Sequence, residues 1–488
     1  MYHTLKTHSL LWSGALDSNK KLFSLRSSLA VSLAAKFALF LVGVAIVGFT
    51  STRGELSSCS GSSGFPFFVS PWQYLEAYTD YRDLYLKCLV NPFLSGSAAY
   101  NLPIVYNYPP LFLYTLSAFA LEPLAWFPAI SLVLFDALTV VPVYLIAKEF
   151  VFSGNSKYAF AVSLFWVFNP INLFYNDFLW LNPGPTTFFL MLGIYFFLKQ
   201  KWLYSSIVLA ISTGFKQTAV LLFPILIVIM LKTVGFTRKT IAFVTLYISS
   251  LVIISSPYVF QIPQSYFWSL QLPIFGNPPG AGSSFPTSFS YDLSQPTRLT
   301  TFLGLVKYVN LQPFALASYH YLDYFFVIGY ITLILQAGVG LANGPRLIVF
   351  YLRLTGKILL WIPTRIASRV DSPTLKTILS NVRRPNLSPI SPLNGTNSLL
   401  YCFTAMLLFF TFFGRGVYKY YFAGLTPLAI PMFSNKKSAI LFETFSLVLL
   451  FIPREVTPWM ALLLITLVPN LVSRKGGEQE IVRTSYES

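Results

Sequence analysis

Long apolar runs recur along the chain and constrain its fold more than any other feature. The first extends from about Leu29 to Thr50, and later runs have about 15 to 22 residues, the length with which a helix crosses roughly 30 Å of hydrocarbon. Hydrophobic residues make up 55% of the 488 residues and charged residues only 10%. The sequence therefore predicts an all-α polytopic membrane protein.

The basic residues indicate how these runs are oriented. The formal net charge is +17. The basic residues that produce it lie between the apolar runs, which is typical of topology signals and argues against a nucleic-acid-binding face. Residues 1–28 are basic and precede an uncleaved first helix, so the N-terminus and the tail 473–488 are both predicted to be cytosolic. With the first helix, about twelve spans follow: 129–147, 158–173, 180–198, 202–215, 218–231, 240–257, 321–342, 398–413, 421–433, 438–453 and 456–472.

Three long segments lie between the spans of this single integral membrane domain, residues 1–488. Residues 51–128 form a first external loop with an interfacial helix from Pro109 to Trp126. Residues 258–320 are predicted as a second external loop rich in Pro, Gly and Ser, and 343–397 as a basic cytosolic loop on anionic lipid. Cys59 and Cys88 both fall in the first loop, where a disulfide and two separate thiols are equally open.

The first external loop contains the most informative motif. It reads YTDYRDLY, then a Gly-containing stretch to Tyr100, then YNYPPLFLY. Asp80 and Asp83 lie in it between two apolar blocks. In a chain with so few charges, carboxylates kept at a membrane face indicate a functional site. The alternative is that both are solvated loop acids paired with Arg82 or Lys87.

These segments resemble the first external loop of GT-C type glycosyltransferases, which use polyprenyl-phosphate sugars as donors. Further segments fit in the same order: SLVLFDALTVVPVYLIAKEF, FWVFNPINLFY, GFKQTAVLLFP and GRGVYKYYFAGLTPLAIP. The likeness covers about residues 30–435. Within the GT-C type, the sequence is most similar to archaeal and bacterial polyprenyl-phosphate-sugar transferases and to the mannosyltransferase that builds GPI anchors. One departure is that no carboxylate follows Trp180, so that Asp177 could at most substitute for a second acid.

The resemblance implies an inverting transfer of a hexose, mannose among the candidates, to a lipid- or protein-linked glycan on the non-cytosolic face. Asp80 aligns with the family acid and would be the general base. Asp83 could orient the acceptor or hold a divalent metal, whose requirement the sequence leaves open. The leaving lipid phosphate needs fixed cations, which Arg415, Lys419 and Lys216 would supply. For all three, the alternative is snorkelling to lipid headgroups.

Lys216 lies between two apolar runs of only about 14 residues, roughly 21 Å each as helices. Neither run crosses the hydrocarbon comfortably, so Lys216 is predicted to be recessed. Of the aromatic residues, Tyr85, Tyr106 and Tyr108 flank the acids and are predicted to line a sugar site. Asp136 and Glu443 fall within predicted spans, where an acid needs a partner or a cavity.

The predicted partners are a polyprenyl-phosphate-linked sugar, a glycan acceptor and membrane lipids, with no nucleic acid. The location is the cell membrane, or the endoplasmic reticulum membrane in a eukaryote. Two other classes stay open. A transporter or flippase of lipid-linked glycans would also use basic residues and a cavity, but should show related halves. A noncatalytic subunit of a glycan-assembly complex would keep the fold without the chemistry.

Overall fold

The structure is a computed structural model that describes residues 23–47, 80–97, 100, 108–270, 312–339, 395–412, 420–433, 436–452, 460–461 and 463–464. Within these ranges the regular elements are helices and there is no β-strand. The predicted all-α class is therefore confirmed for the described part of the chain.

The α-helices are numbered here in chain order. Short π-helical segments follow some of them, at Ala147–Val151 and Leu173–Phe178, and 3₁₀ segments lie at Gln217–Leu221 and Ile430–Met432. The bounds are α1 Leu25–Val47, α2 Asn91–Leu94, α3 Pro110–Phe119, α4 Ala129–Leu138, α5 Val140–Ile146, α6 Ser156–Val167, α7 Pro170–Asn172, α8 Pro183–Leu198, α9 Trp202–Phe215, α10 Leu222–Val234, α11 Arg238–Gln261, α12 Pro263–Ser269, α13 Gln312–Val339, α14 Gly395–Phe412, α15 Tyr421–Ala429 and α16 Lys436–Phe451.

Four helical segments are long and apolar enough to cross a membrane. In the described residues they are Leu25–Ile46, Ala129–Val151, Gln217–Val234 and Arg238–Gln261. The pair Ser156–Val167 and Pro170–Phe178, bent by 43° at the break between them, is either a fifth, broken span or a re-entrant loop. Several shorter apolar helices accompany them. An integral membrane protein is supported, while a count of twelve spans stays a prediction.

Some helix bounds differ from the expected ones. The interfacial helix predicted from Pro109 to Trp126 is helical only over Pro110–Phe119. Residues 120–128 are mainly turns, since Pro123 cannot continue the helix. In the predicted loop 258–320, α11 continues to Gln261, α12 follows, and α13 begins at Gln312. The sides of the membrane on which these segments lie stay predictions.

Helices α8 and α9 pack closely because a glycine faces the contact. A Cβ atom on Gly193 would come within 2.7 Å of the Leu209 side chain. The hydroxyl of Ser205 donates to the Gly193 carbonyl at 2.8 Å. Small residues and a hydroxyl bond are the usual means by which membrane helices approach each other. The tight α8–α9 hairpin fixes the point at which the chain leaves α9, where Lys216 follows.

A fully buried ionic cluster joins α1 to the centre of the fold. Lys36 Nζ of α1 donates to Asp136 Oδ2 of α4 and, at 2.7 Å, to Asp177 Oδ2. Asn172 Nδ2 donates to Asp136 Oδ2 at 3.0 Å and Asn176 Nδ2 to Asp136 Oδ1 at 2.7 Å. Both ion pairs are 0% exposed. The expectation that Asp136 would need a partner is met, and its role is structural.

The break between α6 and α7 has a similar polar explanation. Asn169 caps α7, its Oδ1 accepting from the Asn172 backbone N–H at 3.1 Å. Its Nδ2 donates to Glu443 Oε2 at 2.9 Å and to the Ser446 hydroxyl at 3.1 Å. Glu443 therefore has the partner that an acid in a membrane helix needs. The break holds α16 against the centre of the molecule.

Candidate active site

The motif acids begin a π-helix, Asp80–Val90, that runs directly into α2. Its described side chains are mostly buried, including Tyr81 at 1% exposure and Tyr85 at 2%. Cys88 on the same helix is disulfide-bonded, whereas Cys402 is free and buried. Cys59 lies outside the described residues. The helix is thus anchored in the fold by its described side chains, while the roles of Asp80 and Asp83 stay predictions.

Two tyrosines hold this helix against the rest of the molecule. Tyr81 makes an edge contact with Trp180 at 5.0 Å between ring centroids, and its hydroxyl donates to the Ala125 carbonyl at 2.9 Å. Burial raises the pKa of Tyr81 well above its ordinary value, so the hydroxyl stays a donor. Tyr85 meets Phe112 at 5.0 Å and Tyr108 at 6.4 Å. The backbone that carries Asp80 and Asp83 therefore lies beside Tyr108.

Lys216 follows α9 and precedes the candidate span Gln217–Val234. Its side chain is buried, as the sequence predicts. The ammonium donates to Asn182 Oδ1 at 3.2 Å and lies 5.2 Å and 4.7 Å from the ring centroids of Tyr420 and Tyr421. Among the described residues no carboxylate forms an ion pair with it. It is a buried cation surrounded by an amide oxygen and two aromatic faces.

The burial of Lys216 affects its ionisation. Burial lowers the pKa of Lys216 from 10.5 to about 7, since a charged ammonium loses hydration when it leaves water. The tyrosine rings and the amide oxygen offset only part of the lost hydration free energy, because a desolvated cation–π contact contributes about 2 kcal/mol. An anion that entered the site would stabilise the charged form. The arrangement is therefore suited to binding a negatively charged group.

Asn182 connects Lys216 to Tyr108. Its Nδ2 donates to the Tyr108 hydroxyl at 2.7 Å. Asn182 is 2% exposed and lies between Trp180 and the start of α8. Trp180 has φ of +56°, a left-handed conformation that bulky residues rarely adopt and that is found where the surrounding structure enforces it. The chain is thus turned sharply just before Asn182.

Of the predicted site residues, the structure brings together Lys216 and Tyr108, through Asn182. Tyr85 lies beside Tyr108 but is buried beneath it and Phe112, so its contact with a sugar stays a prediction. Asp80 and Asp83 are placed by their helix, while their side chains are outside the description. Predicted residues outside the described ranges are Tyr106, Arg415 and Lys419.

Asn182, Tyr420 and Tyr421 were not predicted as site residues. Asn182 lies in the stretch DFLWLNPG, in which the expected residue was a carboxylate and not an amide. The two tyrosines belong to GRGVYKYY, of which only the basic residues were predicted to bind. A useful signal was available in both: a polar or aromatic residue directly before a helix start, next to a segment already assigned to the site. Asp177, the possible substitute acid, instead pairs with Lys36.

Among the described residues there is no group of three or more His, Cys, Asp and Glu side chains that could hold a metal ion. Asp80 and Asp83 are the carboxylates that would ligate a divalent ion near Tyr108. Their side chains are outside the description, so the metal stays an open expectation.

The apolar helices are those of a membrane protein, and the buried Lys216 ammonium lies among them, joined through Asn182 to Tyr108. Residues 106–270 match the family model described as ALG3 protein. A search of the curated proteins finds no match. The matched segment contains Tyr108, Asn182 and Lys216. The match supports a membrane glycosyltransferase of the GT-C kind, in the class of mannosyltransferases of dolichyl-linked glycan biosynthesis.

Proposed function

We propose that this protein transfers a mannose from a polyprenyl-phosphate carrier to a lipid- or protein-linked glycan on the non-cytosolic face of the membrane. The match to the ALG3 family supports the sugar and the dolichyl type of donor. The described helices support a membrane enzyme. Tyr108, Asn182 and Lys216 all lie within the matched segment.

The observation that carries the proposal is the burial of the Lys216 ammonium, which forms no ion pair with a carboxylate in the part of the chain that the structure describes. A buried ammonium without a carboxylate is costly, and proteins keep one where a ligand supplies the counter-charge. The leaving group of a polyprenyl-phosphate sugar is a lipid phosphate, which gains negative charge as its bond to the sugar breaks. A cation fixed in a water-poor site stabilises that charge more strongly than water does. Lys216 would hold the phosphate in this way.

Asp80 is proposed as the general base. An acceptor hydroxyl loses its proton to the Asp80 carboxylate while its oxygen forms a bond to the anomeric carbon. The bond from that carbon to the phosphate oxygen breaks on the opposite side, and its electron pair leaves with the phosphate. One displacement of this kind inverts the anomeric configuration. Asp83 would orient the acceptor or, with Asp80, hold a divalent ion that further neutralises the phosphate.

Arg415 and Lys419 complete the proposal. They lie in the segment directly before Tyr420, whose ring faces Lys216. A phosphate between Lys216 and this segment would meet further cations there, and charge-assisted bonds contribute about 1.5–3 kcal/mol each. The isoprenoid tail would rest against the neighbouring apolar helices.

The test uses the purified full-length protein in detergent with a polyprenyl-phosphate mannose, in the presence of mannose-terminated lipid-linked acceptors. We expect mannose transfer from this donor and none from the nucleotide-linked sugar. Asp80→Asn should lower turnover by about 10²- to 10⁴-fold, because an amide cannot accept the proton, while donor binding is retained. Asp83→Asn should cost less unless a metal is shared.

Two outcomes would contradict the proposal. Transfer from the nucleotide sugar would show that the donor is not a polyprenyl-phosphate sugar. Movement of an intact lipid-linked glycan across the membrane of vesicles that contain the protein, without sugar transfer, would favour a transporter instead. If Asp80→Asn keeps near-normal turnover, the base must be another group.

A further inference from the structure

The end of α9 away from Lys216 lies among basic side chains that have no ion pair. Lys201 directly precedes α9, Arg238 and Lys239 begin α11, and Lys232 lies in the last turn of α10. All four are exposed, and none of them forms an ion pair within the described part of the chain. The first turns of α9 and α11 contain no acidic residue. This end therefore carries a positive charge that the described residues do not neutralise.

Helices α9 and α11 are in contact and run parallel. The Ser206 hydroxyl of α9 donates to the Phe243 carbonyl of α11. Further along both helices, the hydroxyl groups of Thr213 and Tyr247 are hydrogen-bonded at 2.8 Å. Because the second contact lies later than the first in both helices, the two chains run in the same direction. Their first residues therefore lie at the same end of the molecule.

Lys201 and Arg238 lie at the same level on these two helices. Each precedes the contact between Ser206 and Phe243 by five residues. The axes of packed helices are about 8–10 Å apart, a gap that a lysine and an arginine side chain can span together. The two cations are therefore close enough to contact one phosphate group.

The turn between α10 and α11 adds an exposed aromatic ring. Gly235 ends α10 with φ of +72°, and its N–H donates to the Leu231 carbonyl at 2.9 Å. The Thr240 hydroxyl donates back to the Gly235 carbonyl at 2.8 Å. These bonds give the turn a fixed shape, in which Phe236 is 82% exposed. An aromatic side chain beside basic ones is typical of a membrane interface.

The position of this turn favours a membrane lipid over a soluble partner. The turn joins the candidate spans Gln217–Val234 and Arg238–Gln261, so it lies at a membrane surface. Apolar side chains that are half exposed come soon after the basic residues, with Leu203 at 50% and Ile241 at 49%. They belong at the depth of the acyl chains, and the cations before them belong at the depth of the headgroups.

We propose that Lys201, Arg238 and Lys239, with Lys232 and Phe236 beside them, form a binding site for the phosphate headgroup of an anionic membrane lipid. The phosphate oxygens accept hydrogen bonds from the ammonium and guanidinium groups. A zwitterionic lipid carries its own cation beside its phosphate, so the site prefers a lipid with net negative charge. This inference is independent of the proposed function, which uses none of these residues.

The test measures lipid binding by the purified full-length protein in detergent. Phosphatidylglycerol and phosphatidylcholine are added separately, and the lipid retained by the protein is measured by native mass spectrometry. We expect phosphatidylglycerol to bind more tightly. In the double variant Lys201→Gln, Arg238→Gln its affinity should fall about tenfold or more, because each basic residue at an anionic surface raises affinity about fivefold. The melting temperature without added lipid should not change, since both side chains are exposed.

Two control variants separate this site from the net charge of the protein. Lys201→Arg with Arg238→Lys keeps both charges in place and should keep the preference for phosphatidylglycerol. Lys87→Gln with Lys148→Gln removes the same charge from two different helical segments, which the sequence predicts on opposite sides of the membrane. This pair should keep most of the affinity, because its two lysines do not share a site.

Phe236→Ala tests the aromatic member of the site. The ring contacts a lipid whatever the charge of its headgroup, so its removal should weaken binding of both lipids. Unchanged binding of both would show that the ring takes no part.

Three outcomes would overturn the lipid site. The first is unchanged affinity for phosphatidylglycerol in Lys201→Gln, Arg238→Gln. The second is an equal loss in Lys87→Gln, Lys148→Gln, which would show that net charge alone attracts the lipid. The third is displacement of phosphatidylglycerol by inorganic phosphate at a similar concentration, which would identify a soluble anion as the ligand.

Discussion

Two buried lysines in the same molecule have opposite surroundings. Lys36 is fully buried between Asp136 and Asp177, and two asparagine amides complete the cluster. Lys216 is buried against an amide oxygen and two tyrosine rings, with no ion pair in the described part of the chain. The protein itself supplies the counter-charge for Lys36, whereas for Lys216 the described residues supply none, and we propose that a ligand does. A buried cation thus indicates structure or binding according to the acids around it.

Lys36→Met should give the largest effect on stability. It leaves two carboxylates without their cation, and breaking a buried pair by removal of one partner costs about 3–5 kcal/mol. Thermal unfolding in detergent, followed with size-exclusion chromatography, should show a large drop in melting temperature. The matched control is the triple variant Lys36→Met, Asp136→Asn, Asp177→Asn, which removes every charge of the cluster and should recover much of the loss. An unchanged melting temperature in the single variant would contradict the structural role.

Lys216→Met should affect ligand binding and leave stability intact, the reverse of what is expected for Lys36→Met. It removes a buried charge that has no acid, so we expect a melting temperature that is unchanged or higher. Binding of polyprenyl-phosphate mannose should fall by about tenfold or more, because charge-assisted bonds contribute about 1.5–3 kcal/mol. A loss of stability as large as that of Lys36→Met would show that both lysines are structural and that the contrast is false.

The pH dependence of ligand binding should report on the charge of Lys216. The folded-state pKa of Lys216 is about 7, below the ordinary 10.5. The penalty of its buried charge is therefore full below about pH 7 and is relieved as pH rises towards 10.5. An anionic ligand needs the charged form, so its affinity should fall between pH 7 and 9. The phosphodiester has a constant charge there, and Lys216→Arg, which stays charged, should show a flat profile.

The smallest effect is expected at a third lysine, which is exposed. Lys199 Nζ lies 2.5 Å from Glu149 Oε2, and the two side chains are 39% and 28% exposed. Such pairs contribute about 0–1 kcal/mol because water and salt screen them. Lys199→Ala should lower the melting temperature by little, and less still in high salt. A drop comparable to that of Lys36→Met would mean that burial does not decide the strength of these pairs.

The burial of Lys216 could be predicted from the sequence, whereas the ion pairs of Lys36 could not. The recessed position of Lys216 followed from the short runs on either side of it, since local helix length sets depth in a membrane. The pairing of Lys36 with Asp136 and Asp177 joins residues 100 and 141 positions apart. No periodicity or spacing rule connects such distant positions, because their contact depends on how whole helices pack.

The site shows the same limit. Tyr108 was predicted from its place beside the motif acids. Asn182 was not, because its role depends on what it faces and an asparagine in a loop has many ordinary uses. The strained turn at Trp180 was equally hidden, since an isolated positive φ at a bulky residue is imposed by the surrounding structure.

The disulfide at Cys88 has a consequence for how the protein is made. Cys88 lies on the same π-helix as Asp80 and Asp83. Disulfides persist in oxidising compartments and are reduced by cytosolic thiols. This helix therefore acquires its covalent tether only in an oxidising compartment, and protein produced under reducing conditions carries an acid-bearing helix without that tether.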